Sequence, residues 1–205
     1  MAWTGVRPSE AMALKFSDID EYNKTIKIRR SLSYDTKILD LISGKRSKRK
    51  PIIGRLKNSA KTENTDAMIR DLKITNELIK FIEDYKQELT NNKKLTQVRQ
   101  DNENEDYIFT HKESGEIALY EYYDKRYRKL LLKHSLNPKD YNLYKLRHTY
   151  CTRLCKKRLD PKIIARLMGD NDIEMVMRIY NSVNKEDVLE ASREYAQDMD
   201  GDINF

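Results

Sequence analysis

The chain has 205 residues, 40 of them Lys or Arg and 33 Asp or Glu, for a net charge of +7 with 39% hydrophobic residues. A chain of this length fits one domain with one core, and the basic surplus admits a polyanionic partner without proving one. No run approaches the roughly 18 consecutive apolar residues of a membrane span, and Met1–Glu10 lacks the apolar stretch of a signal peptide, so the protein is expected to stay in the cytoplasm. Cys151 and Cys155 are the only cysteines. Two are too few for a disulfide framework, and no histidine is spaced to complete a zinc site, so both read as reduced core thiols.

In chain order, Thr4-Gly5-Val6-Arg7-Pro8-Ser9-Glu10 starts a short helix near Arg7, with Pro8 where a first turn tolerates it and Ala11, Met12, Ala13, Leu14 and Phe16 behind it. Thr25–Arg29 alternates with period two, and Leu32–Leu39 does so more loosely, which predicts strands of a small antiparallel sheet. The basic run Lys45-Arg46-Ser47-Lys48-Arg49-Lys50 interrupts them. A further hairpin is expected over Lys57–Leu72, with the turn-prone Glu63-Asn64-Thr65-Asp66 inside it and Lys61 at or near its tip. Leu78, Ile79, Ile82, Tyr85 and Leu89 recur at helical spacing after a cap at Thr75 or Asn76. Residues Asn91–Asp106 are almost wholly polar and read as an exposed linker before a short strand, Tyr107-Ile108-Phe109. Helices are predicted over Leu119–His134, Leu143–Lys157, Pro161–Met168, Ile173–Tyr180 and Lys185–Gln197, broken at Asn137-Pro138, Asp160-Pro161 and Gly169. The expected fold is α+β, a small antiparallel sheet followed by a mainly helical C-terminal half.

Two stretches together resemble the tyrosine recombinase family, also called the phage integrases. One is Thr4-Gly5-Val6-Arg7-Pro8-Ser9-Glu10 with Leu14 and Asp18-Ile19-Asp20. The other is Leu146-Arg147-His148-Thr149 followed by Leu167-Met168-Gly169 and Tyr180. The resemblance implies a site-specific recombinase in which a tyrosine oxygen attacks a DNA phosphodiester, forming a 3′-phosphotyrosyl link while a 5′-hydroxyl leaves. No cofactor or metal is implied, so side chains must handle the developing charge. Arg7 and Arg147 are the implied phosphate clamp, since a planar guanidinium stays protonated and donates paired hydrogen bonds to phosphate oxygens. Tyr180, one short helix after Gly169, is the implied nucleophile. Lys61, heading Lys61-Thr62-Glu63-Asn64-Thr65, resembles the family's hairpin lysine, the general acid for the leaving oxygen, with Lys57 as a rival.

The chain departs from the family pattern twice. Tyr144 stands where a histidine is usual three residues before the second arginine, and it can still donate a hydrogen bond to phosphate. Asp170 stands where histidine or tryptophan is usual after the glycine. A carboxylate there repels phosphate unless it is turned away or paired with a cation. These departures give the main alternative, a catalytically inactive DNA-binding remnant; a type IB topoisomerase with the same chemistry is the other. His148 matches a histidine often found after the second arginine and is assigned a supporting place beside DNA. The run Lys45, Arg46, Lys48, Arg49, Lys50 would meet DNA phosphates, and Tyr120, Tyr122, Tyr123 and Tyr127 with their basic neighbours read as partly core, partly DNA-facing. By resemblance, residues 1–197 form the catalytic domain and 198–205 a tail, without the N-terminal DNA-gripping domain usual in the family. The implied partner is double-stranded DNA, bound by a homotetramer that exchanges the C-terminal segment Lys185–Phe205 between protomers.

Overall fold

The computed structural model describes residues 1–35, 50–56, 68–101, 103–104, 106–170 and 173–183. Helix α1 (Pro8–Met12) starts at the proline and buries Ala11 and Met12. Strands β1 (Ile19–Asp20), β2 (Thr25–Ile28) and β5 (Arg70–Lys73) form an antiparallel sheet in the order β1-β2-β5, while β3 (Arg30–Asp35) and β4 (Lys50–Arg55) pair as a separate antiparallel ribbon. In the register, Ile26 lies opposite Leu72 and Ile28 opposite Arg70. The pleat therefore turns Arg70 and Leu72 to the buried face. A charged side chain is thus delivered inward from a strand, and its partner matters below.

The helical half comprises α2 (Asn76–Asn91), α3 (Lys93–Asp101), α4 (Tyr120–Lys133), α5 (Leu143–Lys156), α6 (Pro161–Met168) and α7 (Glu174–Val183). Side-chain caps set the starts of α2, α5 and α6: Thr75 Oγ1 accepts from Leu78 N–H at 3.3 Å, Asn142 Oδ1 from Lys145 N–H at 2.9 Å, and Asp160 Oδ1 from Lys162 N–H at 2.7 Å. One core cluster joins α1 to the strands and α2 through Val6, Met12, Ile26, Ile28, Leu72 and Ile79; a second joins α5, α6 and α7 through Cys151, Cys155, Ile164, Met168 and Val176. Among the described residues no helix is long and apolar enough to cross a membrane.

The fold class agrees with the α+β expectation, and two local expectations are corrected. The segment expected as a polar linker contains α3, because Asn92 caps it through Leu95 N–H at 3.1 Å and the four-residue spacing of Leu95 and Arg99 places both on its buried side. Its apolar signal was too sparse to announce a helix. Tyr107–Phe109 forms no regular strand: the Tyr107 carbonyl accepts from the Arg99 guanidinium at 2.7 Å, Ile108 N–H donates to the Leu14 carbonyl at 3.0 Å, and among the described residues the local pairing is limited to isolated bridges, Lys15 to Tyr107 and Thr110 to Ile117. Of the hairpin expected over Lys57–Leu72, residues 57–67 lie outside the described residues, and Arg70–Leu72 fall in β5, which pairs with β2. The helix expected over Lys185–Gln197 lies outside the described residues.

Both cysteines are free and fully buried. Burial pushes the Cys151 thiol up to about 12 and raises that of Cys155. The thiolate is the reactive form. Neither thiol should react with an aromatic disulfide reagent at pH 8 in the native protein, and both should react on denaturation; rapid native labelling of either would contradict this burial.

Candidate active site

Three arginines from distant parts of the chain meet on two carboxylates. Arg7 sits at the N-terminal edge of α1, where its backbone N–H donates to Glu10 Oε2 at 2.8 Å and its Nη1 to Glu10 Oε1 at 3.3 Å. Arg147 projects from the first half of α5 and is 1% exposed. Its Nη1 donates to the carbonyls of Gly5 and Met168, which fixes the head group between the chain entering α1 and the end of α6. Gly5 is required at this contact: its φ is +64°, and a Cβ would lie 2.3 Å from the Tyr150 ring.

Asp170 closes the arrangement. Its Oδ1 accepts from Arg7 Nη2 and its Oδ2 from Arg147 Nη2, each at 2.6 Å. A single carboxylate therefore bridges both arginines, one oxygen to each, so the two guanidinium groups face a space the size of one small oxyanion. Burial lowers the Arg147 pKa and the neighbouring Arg7 lowers it further, while Asp170 and Glu10 oppose them. Two like charges held together away from water favour an anion between them.

Gly169 aims Asp170. It ends α6 with φ +66°, a left-handed cap that turns the chain and presents residue 170 to the arginines. A Cβ there would lie 2.3 Å from Arg70 Nη1. Gly169→Ala should therefore lose at least about 1–2 kcal/mol from backbone conformation alone, with further loss from displacing Arg70; urea denaturation measures it, and wild-type stability would refute the close packing.

Glu10 and Arg70 were not singled out from sequence as site residues. Glu10 is 1% exposed and Arg70 is 9% exposed. Arg70 Nη2 donates to Glu10 Oε2 at 2.8 Å, Nη1 to Glu10 Oε1 at 3.2 Å, and Nε to the Leu167 carbonyl at 2.9 Å. The available signal was an arginine in the inward phase of a strand, a position that demands a partner.

The other expected site residues are placed as follows. Tyr144, one turn before Arg147, is exposed, and its ring stands edge-on to His148 at 5.2 Å. His148 is held neutral near pH 7: burial lowers its pKa, and Arg147 and Lys145 lower it further. Tyr180, half-buried on α7, packs against the Cys151–Met168 cluster that carries α5 and the end of α6. Lys61 and its rival Lys57, with Lys45, Arg46, Lys48 and Arg49, lie outside the described residues, whereas Lys50 opens β4 with its backbone opposite Asp35. On α4 the tyrosines divide. Tyr123 packs edge-on to Phe109 and donates to the Thr110 carbonyl at 3.1 Å, with its pKa raised mainly by burial, whereas the partly exposed Tyr122 ring lies tilted against His111 and beneath Arg126.

A model of the phage integrase family matches residues 1–187. A protein described as tyrosine recombinase XerC-like, from Caldanaerobacter subterraneus subsp. tengcongensis, is 27% identical over 181 residues, which is 88% of this chain and 43% of that protein. Among solved structures, the Tn1549 transposon integrase in complex with a circular intermediate DNA superposes with a TM-score of 0.62 at 20% identity, covering 87% of this chain and 51% of that one. The XerA recombinase gives a TM-score of 0.56 at 19% identity, covering 95% and 53%. XerH bound to its palindromic difH substrate gives 0.55 at 20%, covering 95% and 43%. The chain spans about half the length of these proteins or less, and the structural likeness concerns the fold.

Proposed function

We propose, because this chain belongs to the phage integrase family, that it cuts and rejoins DNA at specific sites through a 3′-phosphotyrosyl intermediate. The observation that carries this reading is the bridge from Arg7 through Asp170 to Arg147, which reveals two cations converging on one oxyanion-sized position. In the proposed step the Tyr180 oxygen attacks a phosphorus held there, the O–P bond forms, and the bond to the 5′ oxygen breaks. The phenolic proton passes to solvent water, and the 5′ oxygen gains one from Lys61. Arg7 and Arg147 stabilise the charge gathering on the non-bridging oxygens, and the Tyr144 hydroxyl donates to one of them. Neutral His148 braces the Tyr144 ring from within the same helix. A 5′-hydroxyl attacking the phosphotyrosine then reverses the chemistry on the same or a new strand.

The run Lys45, Arg46, Lys48, Arg49 and Lys50 supplies backbone contacts to duplex DNA, and the assembly is a homotetramer exchanging its C-terminal segment, working where the cell's DNA lies. The DNA complexes of the Tn1549 integrase and XerH support this partner and favour recombination over relaxation. One observation favours a second reading, a DNA-binding chain that no longer cleaves: Asp170 fills the clamp. Incubation with a nicked duplex bearing a recognised site tests the proposal. A covalent protein–DNA adduct supports it, because the released short strand diffuses away and cannot reverse the reaction; absence of adduct on a duplex shown to bind counts against it.

A further inference from the structure

We infer that Arg70 is a positioning residue of this site, neutralising Glu10 so that Arg7 is left free to hold an oxyanion. The inference rests on the reading of Arg7 and Arg147 as a phosphate clamp. The Arg70 guanidinium donates to Glu10 and to the carbonyls of Met68 and Leu167, and not to Asp170, which marks the position proposed for phosphate. It stands behind the clamp, and every contact it makes is internal.

The distribution of donors on Glu10 shows what Arg70 does. Each oxygen of this carboxylate accepts from Arg70, Oε2 at 2.8 Å and Oε1 at 3.2 Å, in a two-point guanidinium–carboxylate pair. Arg7 offers Glu10 its backbone N–H at 2.8 Å but only a long side-chain contact, Nη1 at 3.3 Å. The Arg7 head group makes its short side-chain bond forward, to Asp170 at 2.6 Å. Glu10 is thus paired mainly with Arg70, and its backbone contact orients Arg7 without capturing its guanidinium. Were Arg70 uncharged, Arg7 would be the neighbouring cation left to a carboxylate that is 1% exposed. A buried carboxylate without its main partner draws the remaining cation towards itself, away from phosphate.

Arg70 also reaches the other wall of the site. Nε donates to the Leu167 carbonyl at 2.9 Å, and the guanidinium lies against Gly169, which admits no Cβ beside it. One side chain therefore ties β5, α1 and the end of α6 together, the elements that present Arg7 and residue 170.

The test compares wild type, R70K, R70M, E10Q and E10Q/R70M in the full chain. At saturating nicked duplex, R70M should form adduct about tenfold or more slowly, with R70K between R70M and wild type. E10Q/R70M should recover to within about threefold of wild type, because removing the carboxylate removes the competitor for Arg7, whereas independent structural defects would add. Should R70M fail to fold, R70K and the double variant still carry the comparison. An R70K rate equal to wild type, or a double variant no faster than R70M or R70K, would overturn the inference. The Nε–H NMR signal of Arg7, followed on adding an uncleaved duplex, gives a second readout that needs no chemistry. It should shift in wild type and E10Q/R70M and shift less in R70K. An equal shift in R70K sinks the role of Arg70; no shift in wild type sinks the phosphate-clamp reading and this inference with it.

Discussion

Tyr180→Phe is expected to abolish the covalent adduct on a nicked duplex while leaving duplex affinity within about twofold of wild type. The substitution removes one oxygen and keeps the ring. Tyr180 packs, partly buried, on α7 against the cluster that includes Cys151, Ile164 and Met168, and a phenylalanine preserves that contact, so stability should hold. The chain has 13 tyrosines, which makes the control informative. Tyr144 is the competing nucleophile, being exposed and one turn from Arg147. Tyr144→Phe should therefore slow adduct formation without abolishing it, as expected of a lost hydrogen-bond donor. Adduct persisting in Tyr180→Phe and vanishing in Tyr144→Phe would move the nucleophile to α5. Gel separation under denaturing conditions, with the linked residue located by mass spectrometry, reads both outcomes.

The parts of this site legible in sequence were those with a local signature. Arg7 stands in a glycine–valine–arginine–proline opening, Arg147 in a helix that Asn142 caps, and Gly169 at the end of a helix that Asp160 and Pro161 begin, each a feature spanning only a few positions. The regular helices were legible for the same reason, since apolar side chains at 3.6-residue spacing mark a buried face. What escaped was tertiary. Glu10 and Arg70 form their ion pair across 60 positions, and no periodicity in either segment records it. Helix α3 escaped because Arg99, a charged residue, supplies much of its burial by reaching the carbonyl of Tyr107 and the hydroxyl of Thr110. Asp170 was legible only as a conditional: a carboxylate beside phosphate is unfavourable unless paired. It is paired on both oxygens with the two arginines that define the site, a fact requiring the fold to bring residues 7, 147 and 170 together.

Asp170→Asn is accordingly expected to change stability and DNA affinity in opposite directions. In the free protein the carboxylate occupies the position proposed for phosphate, and its tether gives it an effective concentration in the millimolar range or above, against which an incoming phosphate would compete. Removing its charge leaves Arg7 and Arg147 facing each other without the carboxylate between them, with Glu10 as the nearby counter-charge, in a site where Arg147 is 1% exposed. Breaking one side of a buried ion pair typically costs about 3–5 kcal/mol; the partial exposure of Asp170 and the retained asparagine oxygen place the loss near the lower figure. The same vacancy should favour duplex binding by about tenfold, near 1.4 kcal/mol. A neutral donor at this position, as in Asp170→His, should in addition supply a hydrogen bond to a phosphate oxygen and raise the adduct rate above that of Asp170→Asn. Thermal unfolding and a duplex titration at fixed salt measure the two signs. If the wild type forms no adduct and either variant does, the carboxylate is what silences an otherwise complete site. Equal or weaker duplex binding by Asp170→Asn would show instead that Asp170 is a structural tie at the end of α6 that phosphate never displaces.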